Sequence, residues 1–106
     1  MIYLASPYSH HDKLQMERRY LGVVSALRYL IAREKQAIYS PIAHWHPVAV
    51  LIDLPRDAEF WAEGNKEMMR LADKVIVLRL EGWDTSVGVK AEIAYANELE
   101  IPVVYL

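Results

Sequence analysis

Apolar residues fall into two kinds of run along this chain. Ile2-Tyr-Leu-Ala5, Ala37-Ile-Tyr-Ser40, Lys74 to Leu80 and Pro102 to Leu106 are short and apolar almost throughout. Strands buried on both faces read this way, whereas half-exposed strands alternate. Between them the period is helical. Met16, Tyr20, Val23, Val24, Leu27, Leu30 and Ile31 lie 4, 3, 1, 3, 3 and 1 residues apart. That is one face of a long helix, with Asp12 or Ser9 as its cap and the charged Arg33-Glu34-Lys35 at its end. Phe60, Trp61, Met68, Met69, Leu71 and Ala72 give a second helix an apolar side. Pro55-Arg56-Asp57 starts that helix, and Asp57 is placed to cap it. A third helix runs from about Ser86 to Glu98. Pro41-Ile-Ala-His-Trp-His-Pro47 reads as an aromatic, histidine-rich loop, and Val48–Leu54 as either a short helix or irregular chain.

The resulting order, β-α-β-(loop)-α-β-α-β, predicts a single α/β domain over residues 1–106. Its parallel sheet would carry helices on both faces, with strand order 2-1-3-4 from right-handed crossovers. In such a sheet ligands bind beyond the carboxyl ends of the strands, where the strand order reverses. The loops meeting there are Ser6–Asp12 and Glu81–Ser86, with Ser40–Pro47 alongside.

Composition narrows the picture. The chain has 106 residues, 54% hydrophobic and 25% charged, and a formal charge of −2. That balance suits a compact core and argues against a nucleic-acid polymer as partner. The absence of cysteine removes disulfides, thiol nucleophiles and thiolate metal sites, and fits a reducing cytoplasm. No segment approaches the roughly 18 uninterrupted apolar residues of a membrane span. Three tryptophans and seven tyrosines are many for this length. They point to a pocket or a subunit interface, and a four-stranded sheet with edges to cover points to a homodimer or higher homo-oligomer.

The chemistry concentrates in Gly82-Trp83-Asp84-Thr85-Ser86-Val87-Gly88-Val89-Lys90-Ala91-Glu92. With Ser86 as a helix cap, its hydroxyl and the next backbone N–H groups face the site, where partial positive charge suits a phosphate. Gly88 lets a ligand approach the backbone. Glu92 stands about 9 Å further along the axis, a depth at which its carboxylate could reach the sugar of a nucleotide whose phosphate sits at the helix end. Asp84 is placed either to bind a sugar hydroxyl or to cap the turn. No dinucleotide fingerprint, triphosphate loop or nucleophile elbow occurs.

Three pieces taken together resemble the nucleoside 2-deoxyribosyltransferase family, specifically its deoxynucleoside 5′-monophosphate N-glycosidase branch. These are Tyr3-Leu-Ala-Ser-Pro-Tyr8, Ala72-Asp73 before the third long apolar run, and Ser86-x-Gly88-Val89-x-x-Glu92-x-x-x-Ala96. The chain also looks like short, often phage-borne proteins grouped near that family. The resemblance implies a flavodoxin-like fold and cleavage or exchange of the N-glycosidic bond of a nucleoside or nucleotide, with no cofactor. It implies Glu92 as nucleophile at the anomeric carbon, Tyr3 orienting it, Ser6 and Pro7 in the binding loop, and Asn65 near the base. The transferases carry an aspartate at the position of Ser86. A serine there favours a 5′-phosphate, which a carboxylate would repel. The family's base-contacting acid is Asn65 here, and an amide is no proton donor of that kind. The family's basic residue in the first loop is also missing; Ser6, Ser9, His10 and His11 stand there instead.

His44-Trp45-His46 could offer two metal ligands, but no third ligand cluster matches it, so no metal is expected. Trp45 or one of the histidines, His44 or His46, is read as stacking on base or sugar, or the loop as covering the pocket, with core packing of Trp45 the equal alternative. Trp61 and Met68-Met69 are read as core or interface, and Arg18 and Arg19 as a solvated face or an ion pair with Glu17 or with an acid of another subunit. The rival to the enzyme reading is a nucleotide-sequestering module on the same scaffold. A third possibility is an interaction protein that uses its aromatic surface.

Overall fold

Ile2–Ala5 forms β1, an inner strand with all four residues buried. The computed structural model describes residues 1–106, and its strands are β1, β2 (Ile38–Tyr39), β3 (Lys74–Val77) and β4 (Val103–Tyr105). All pairings are parallel, in the order β2-β1-β3-β4. The helices are α1 (Lys13–Glu34), α2 (Pro41–Ile52), α3 (Ala58–Met69) and α4 (Val87–Glu98), with a 3-10 turn at Trp83–Thr85. The expected doubly wound α/β sheet of order 2-1-3-4 is therefore observed.

Alternation along the inner strands divides the core. Ile2, Leu4, Ile76 and Leu78 pack with Val23, Leu30 and Ile42, beneath α1 and α2. Tyr3, Ala5, Val75 and Val77 pack with Met69, Val89 and Ala96, beneath α3 and α4. Each strand residue thus belongs to one of two cores, which is why these runs show no polar face. No helix is long and apolar enough to cross a membrane.

Helix starts follow their caps. The Asp12 side chain accepts from Leu14 N–H, Asp57 from Phe60 N–H and Ser86 from Val89 N–H. The histidine-rich stretch is a correction. Pro41 to Ile52 is one helix, capped by Ser40, whose Oγ accepts from Ala43 N–H at 3.0 Å. Pro41 occupies the first turn, where its missing N–H costs nothing, so it starts the helix rather than breaking it. In this helix His44 and His46 point to different sides: His44 is exposed and His46 is buried.

Candidate functional site

The carboxyl ends of β1 and β3 and the N-termini of α2, α3 and α4 border a cavity of about 590 Å³. Its volume lies within the ordinary range for small-molecule sites, roughly 300–1,000 Å³. The wall includes Ser6, Tyr8, Arg19, Trp45, His46, Arg56, Trp61, Asn65, Ser86, Gly88 and Glu92.

Glu92 is the chemical centre. The Tyr3 hydroxyl, on a side chain with no exposed surface, donates to Glu92 Oε2. Tyr3 reaches it because odd-numbered residues of β1 face α4, and Glu92 is one turn beyond the buried Val89. Burial lifts the Glu92 carboxyl to about 7, against the opposing effect of the Tyr3 hydrogen bond. The Tyr3 phenol is pushed far upward, first by burial and then by the adjacent carboxylate, so it serves as a donor. Tyr39 is raised by its own burial, offset by the Trp45 Nε1–H bond to its hydroxyl at 3.0 Å. The Trp45 ring lies 5.2 Å from that of Trp61, giving the cavity an aromatic wall.

The α4 N-terminus contributes donors. Ser86 Oγ accepts from Val89 N–H at 3.2 Å, and the Ser86 carbonyl accepts from Lys90 N–H at 3.0 Å. The Val87 and Gly88 N–H groups at the helix tip donate to nothing within the chain. A methyl built on Gly88 would meet Ala58 Cβ at 3.6 Å, an ordinary contact, so glycine there leaves the cavity wall open without being demanded by the fold.

Arg19 is the principal correction. It lies 91% buried, not on a solvated face. Its Nη1 donates to the carbonyls of Tyr8 (3.3 Å) and Ser9 (3.0 Å), and its Nη2 to that of Glu81 at 3.2 Å. One guanidinium thus joins the two loops that flank the reversal of strand order. Gly82 (φ 88°) makes room for it, since a Cβ there would stand 2.6 Å from Arg19 Nη2. Arg19 Nε and the 97% buried Ser6 Oγ have no partner, and both residues line the cavity. Arg56, anchored to the Ala49 carbonyl at 3.1 Å, adds a second cation.

The cavity therefore gathers Glu92, Ser86, Gly88, Asn65, Ser6 and Trp45, with Tyr3 directly behind Glu92. Pro7 is fully buried beside it, and Asp84 and His44 are exposed; none of these three lines the wall. Trp61, expected in a core or interface, does line it. His10 and His11 stack on each other, and only His10 borders the cavity. No group of three His, Asp or Glu is placed to hold a metal ion. Sequence reasoning missed Tyr8, Arg19 and Arg56, and left open whether His44 or His46 belongs to the site. For Arg19 and His46 a signal existed: each occupies an apolar stripe, between Met16 and Val23 and between Ile42 and Ala49.

Fold and site together define a doubly wound α/β domain with a small-molecule-sized cavity at the carboxyl end of its sheet, built around a glutamate on the cavity wall and the buried tyrosine that donates to it. Within that class, the chain belongs to the family described as Domain of unknown function (DUF1937), whose family model matches residues 1–106. No curated protein matches the chain.

Proposed function

We propose that the protein cleaves or exchanges the N-glycosidic bond of a nucleoside 5′-monophosphate or nucleoside, through attack of Glu92 on the anomeric carbon. The observation that carries this reading is the Tyr3–Glu92 pair: a carboxylate at the cavity wall, oriented by a buried phenol. The transition state is cation-like at the anomeric carbon, so a carboxylate held against it lowers the barrier and can bond to it. The free N–H groups of Val87 and Gly88, with Arg19 and Arg56, suit a 5′-phosphate. Trp45 and Trp61 suit a stacked base. Mass spectrometry of reactions with a mixed panel of nucleosides and monophosphates tests the reading. Free base or exchanged nucleoside is expected from the wild type and none from Glu92→Gln; a wild type inert to the whole panel overturns it.

One observation favours the non-catalytic rival. Asn65 lies in the cavity where the resembled enzymes carry an acid. A sequestering module binds a nucleotide in calorimetry without turnover, and Glu92→Gln leaves its affinity largely intact. In either case we propose that the protein is cytoplasmic and a homodimer or higher homo-oligomer. Leu14, Leu21, Val24 and Ile31 form an exposed apolar stripe on α1 that suits self-association; a monomer in sedimentation would refute this.

A further inference from the structure

Outside the Tyr3–Glu92 pair, a second chain of titratable groups runs through the cavity wall. Tyr8 Oη shares a hydrogen bond of 2.6 Å with His46 Nδ1, and His46 Nε2 shares one of 2.6 Å with Glu17 Oε2. His46 is 95% buried and lies flat against Tyr20, with ring centroids 4.5 Å apart. Tyr8 lines the cavity, whereas Glu17, on the far side of the imidazole, is 48% exposed. Three elements supply the chain: the loop after β1, helix α2 and helix α1. Its inner end opens on the ligand space and its outer end on solvent.

A buried imidazole bonded at both nitrogens passes a proton by taking one on one side and giving one on the other. With both nitrogens protonated, Nδ1–H donates to Tyr8 and frees the phenolic hydrogen for a ligand. With Nδ1 bare, the phenol points at His46 and presents lone pairs to the cavity. Glu17 fixes the ring and balances its charge in the first state. The other charged or titratable groups facing Tyr8 and His46 are Tyr20 on α1 and Arg56 ahead of α3, while Arg19 holds the Tyr8 carbonyl.

We propose that Glu17, His46 and Tyr8 form a proton relay in which the Tyr8 hydroxyl delivers the proton to the leaving base and later recovers it from water. The inference rests on the glycosidic reading above and supplies the acid that Asn65 cannot. In the first half-reaction a Glu92 oxygen bonds to the anomeric carbon as the carbon–nitrogen bond breaks. The electron pair stays on the base, which takes the Tyr8 proton, and His46 Nδ1–H reprotonates Tyr8. In the second half-reaction water attacks the same carbon and Glu92 leaves. The proton released by water passes through Tyr8 back to His46, so the relay ends as it began. Tyr8 is the catalytic residue; His46 and Glu17 are positioning residues that act through it.

The test compares Tyr8→Phe, His46→Gln and Glu17→Gln with the wild type on two substrates. One is a deoxynucleoside 5′-monophosphate, whose base must be protonated. The other is 4-nitrophenyl 2-deoxyriboside 5-phosphate, whose leaving group departs as an anion. Tyr8→Phe should lose about 10²-fold or more on the nucleotide and stay within severalfold of wild type on the nitrophenyl compound. His46→Gln should show the same split, and Glu17→Gln a weaker one. Equal losses on both substrates, or no loss on either, overturn the relay. Nitrogen-15 spectra of the His46 ring separate this failure from that of the glycosidic reading. If the wild type cleaves neither substrate, the glycosidic reading fails and the relay falls with it. If the wild type cleaves the nucleotide, a shift of Nδ1 in Tyr8→Phe and of Nε2 in Glu17→Gln supports the relay, and a ring indifferent to both substitutions overturns it while leaving the glycosidic reading standing.

Discussion

Glu92 is held in an environment that prefers it neutral. Its carboxyl titrates at about 7 in the folded chain, against an ordinary value of 4.5. The native state therefore keeps a proton that the unfolded chain gives up. The associated stability is fully present below about 4.5 and is lost as pH rises through about 7. The shift corresponds to about 3 kcal/mol. Glu92→Gln removes this dependence, so the variant should gain on the wild type by up to about that amount between pH 5 and pH 8. Urea denaturation of both proteins at the two pH values checks it. Tyr3→Phe acts in the opposite sense on the ionised form. With the phenolic donor gone, the Glu92 carboxyl should titrate above its present value, visible as an upward move of its carbon-13 carboxyl resonance titration. Glu92 and Ser86 were legible as site residues because helix spacing and a cap place them with little help from the rest of the chain. Tyr3 came only with the family resemblance. The burial of Arg19 and His46 is hinted at by their helical stripes, but their hydrogen-bond partners lie on segments far apart in sequence, and local pattern does not reach that far.

At the level of elements, the two helices that border the cavity differ in how openly they declared themselves. Helix α4 has a serine cap, a strand before it and a regular stripe, and its start was read to within one residue. Within α2 the sequence of Pro41–Pro47 reads as a loop, with Val48–Leu54 a short helix or irregular chain, because a proline stands at each end of the histidine-rich stretch. Pro41 sits where a helix tolerates proline, and the buried stripe Pro41, Ile42, His46, Ala49 binds the helix to the core in spite of Pro47. Removing the Ser40 cap with alanine should cost about 1 kcal/mol, read as a lower urea midpoint with unchanged m-value. Gly88→Ala separates binding from folding. In the first turn of α4 alanine is the better helix former by up to about 1 kcal/mol. Its methyl would stand on the cavity wall beside free N–H groups. The melting temperature should hold or rise while affinity for a nucleoside monophosphate falls by about tenfold, measured by calorimetry.

For the whole molecule, the order of strands and helices was readable because alternating apolar runs and right-handed crossovers leave few arrangements. What the order leaves open is how the two loops at the point of reversal are kept together. Arg19 does this, bridging carbonyls 73 residues apart at the widest, those of Tyr8 and Glu81. Arg19→Met leaves three carbonyls without their donor and should cost about 3 kcal/mol in chemical denaturation, with Arg19→Lys recovering only part. The same residue makes no ion pair. A mostly buried cation whose partners are all neutral favours an anionic ligand on the cavity wall that it lines, as the 5′-phosphate of the proposed substrate would be. Occupancy therefore registers as heat resistance: a ligand at about 100 times its dissociation constant adds roughly 2.7 kcal/mol to the folded state. A thermal-shift screen of phosphorylated metabolites would then rank candidate ligands for this cavity without an assay of any reaction.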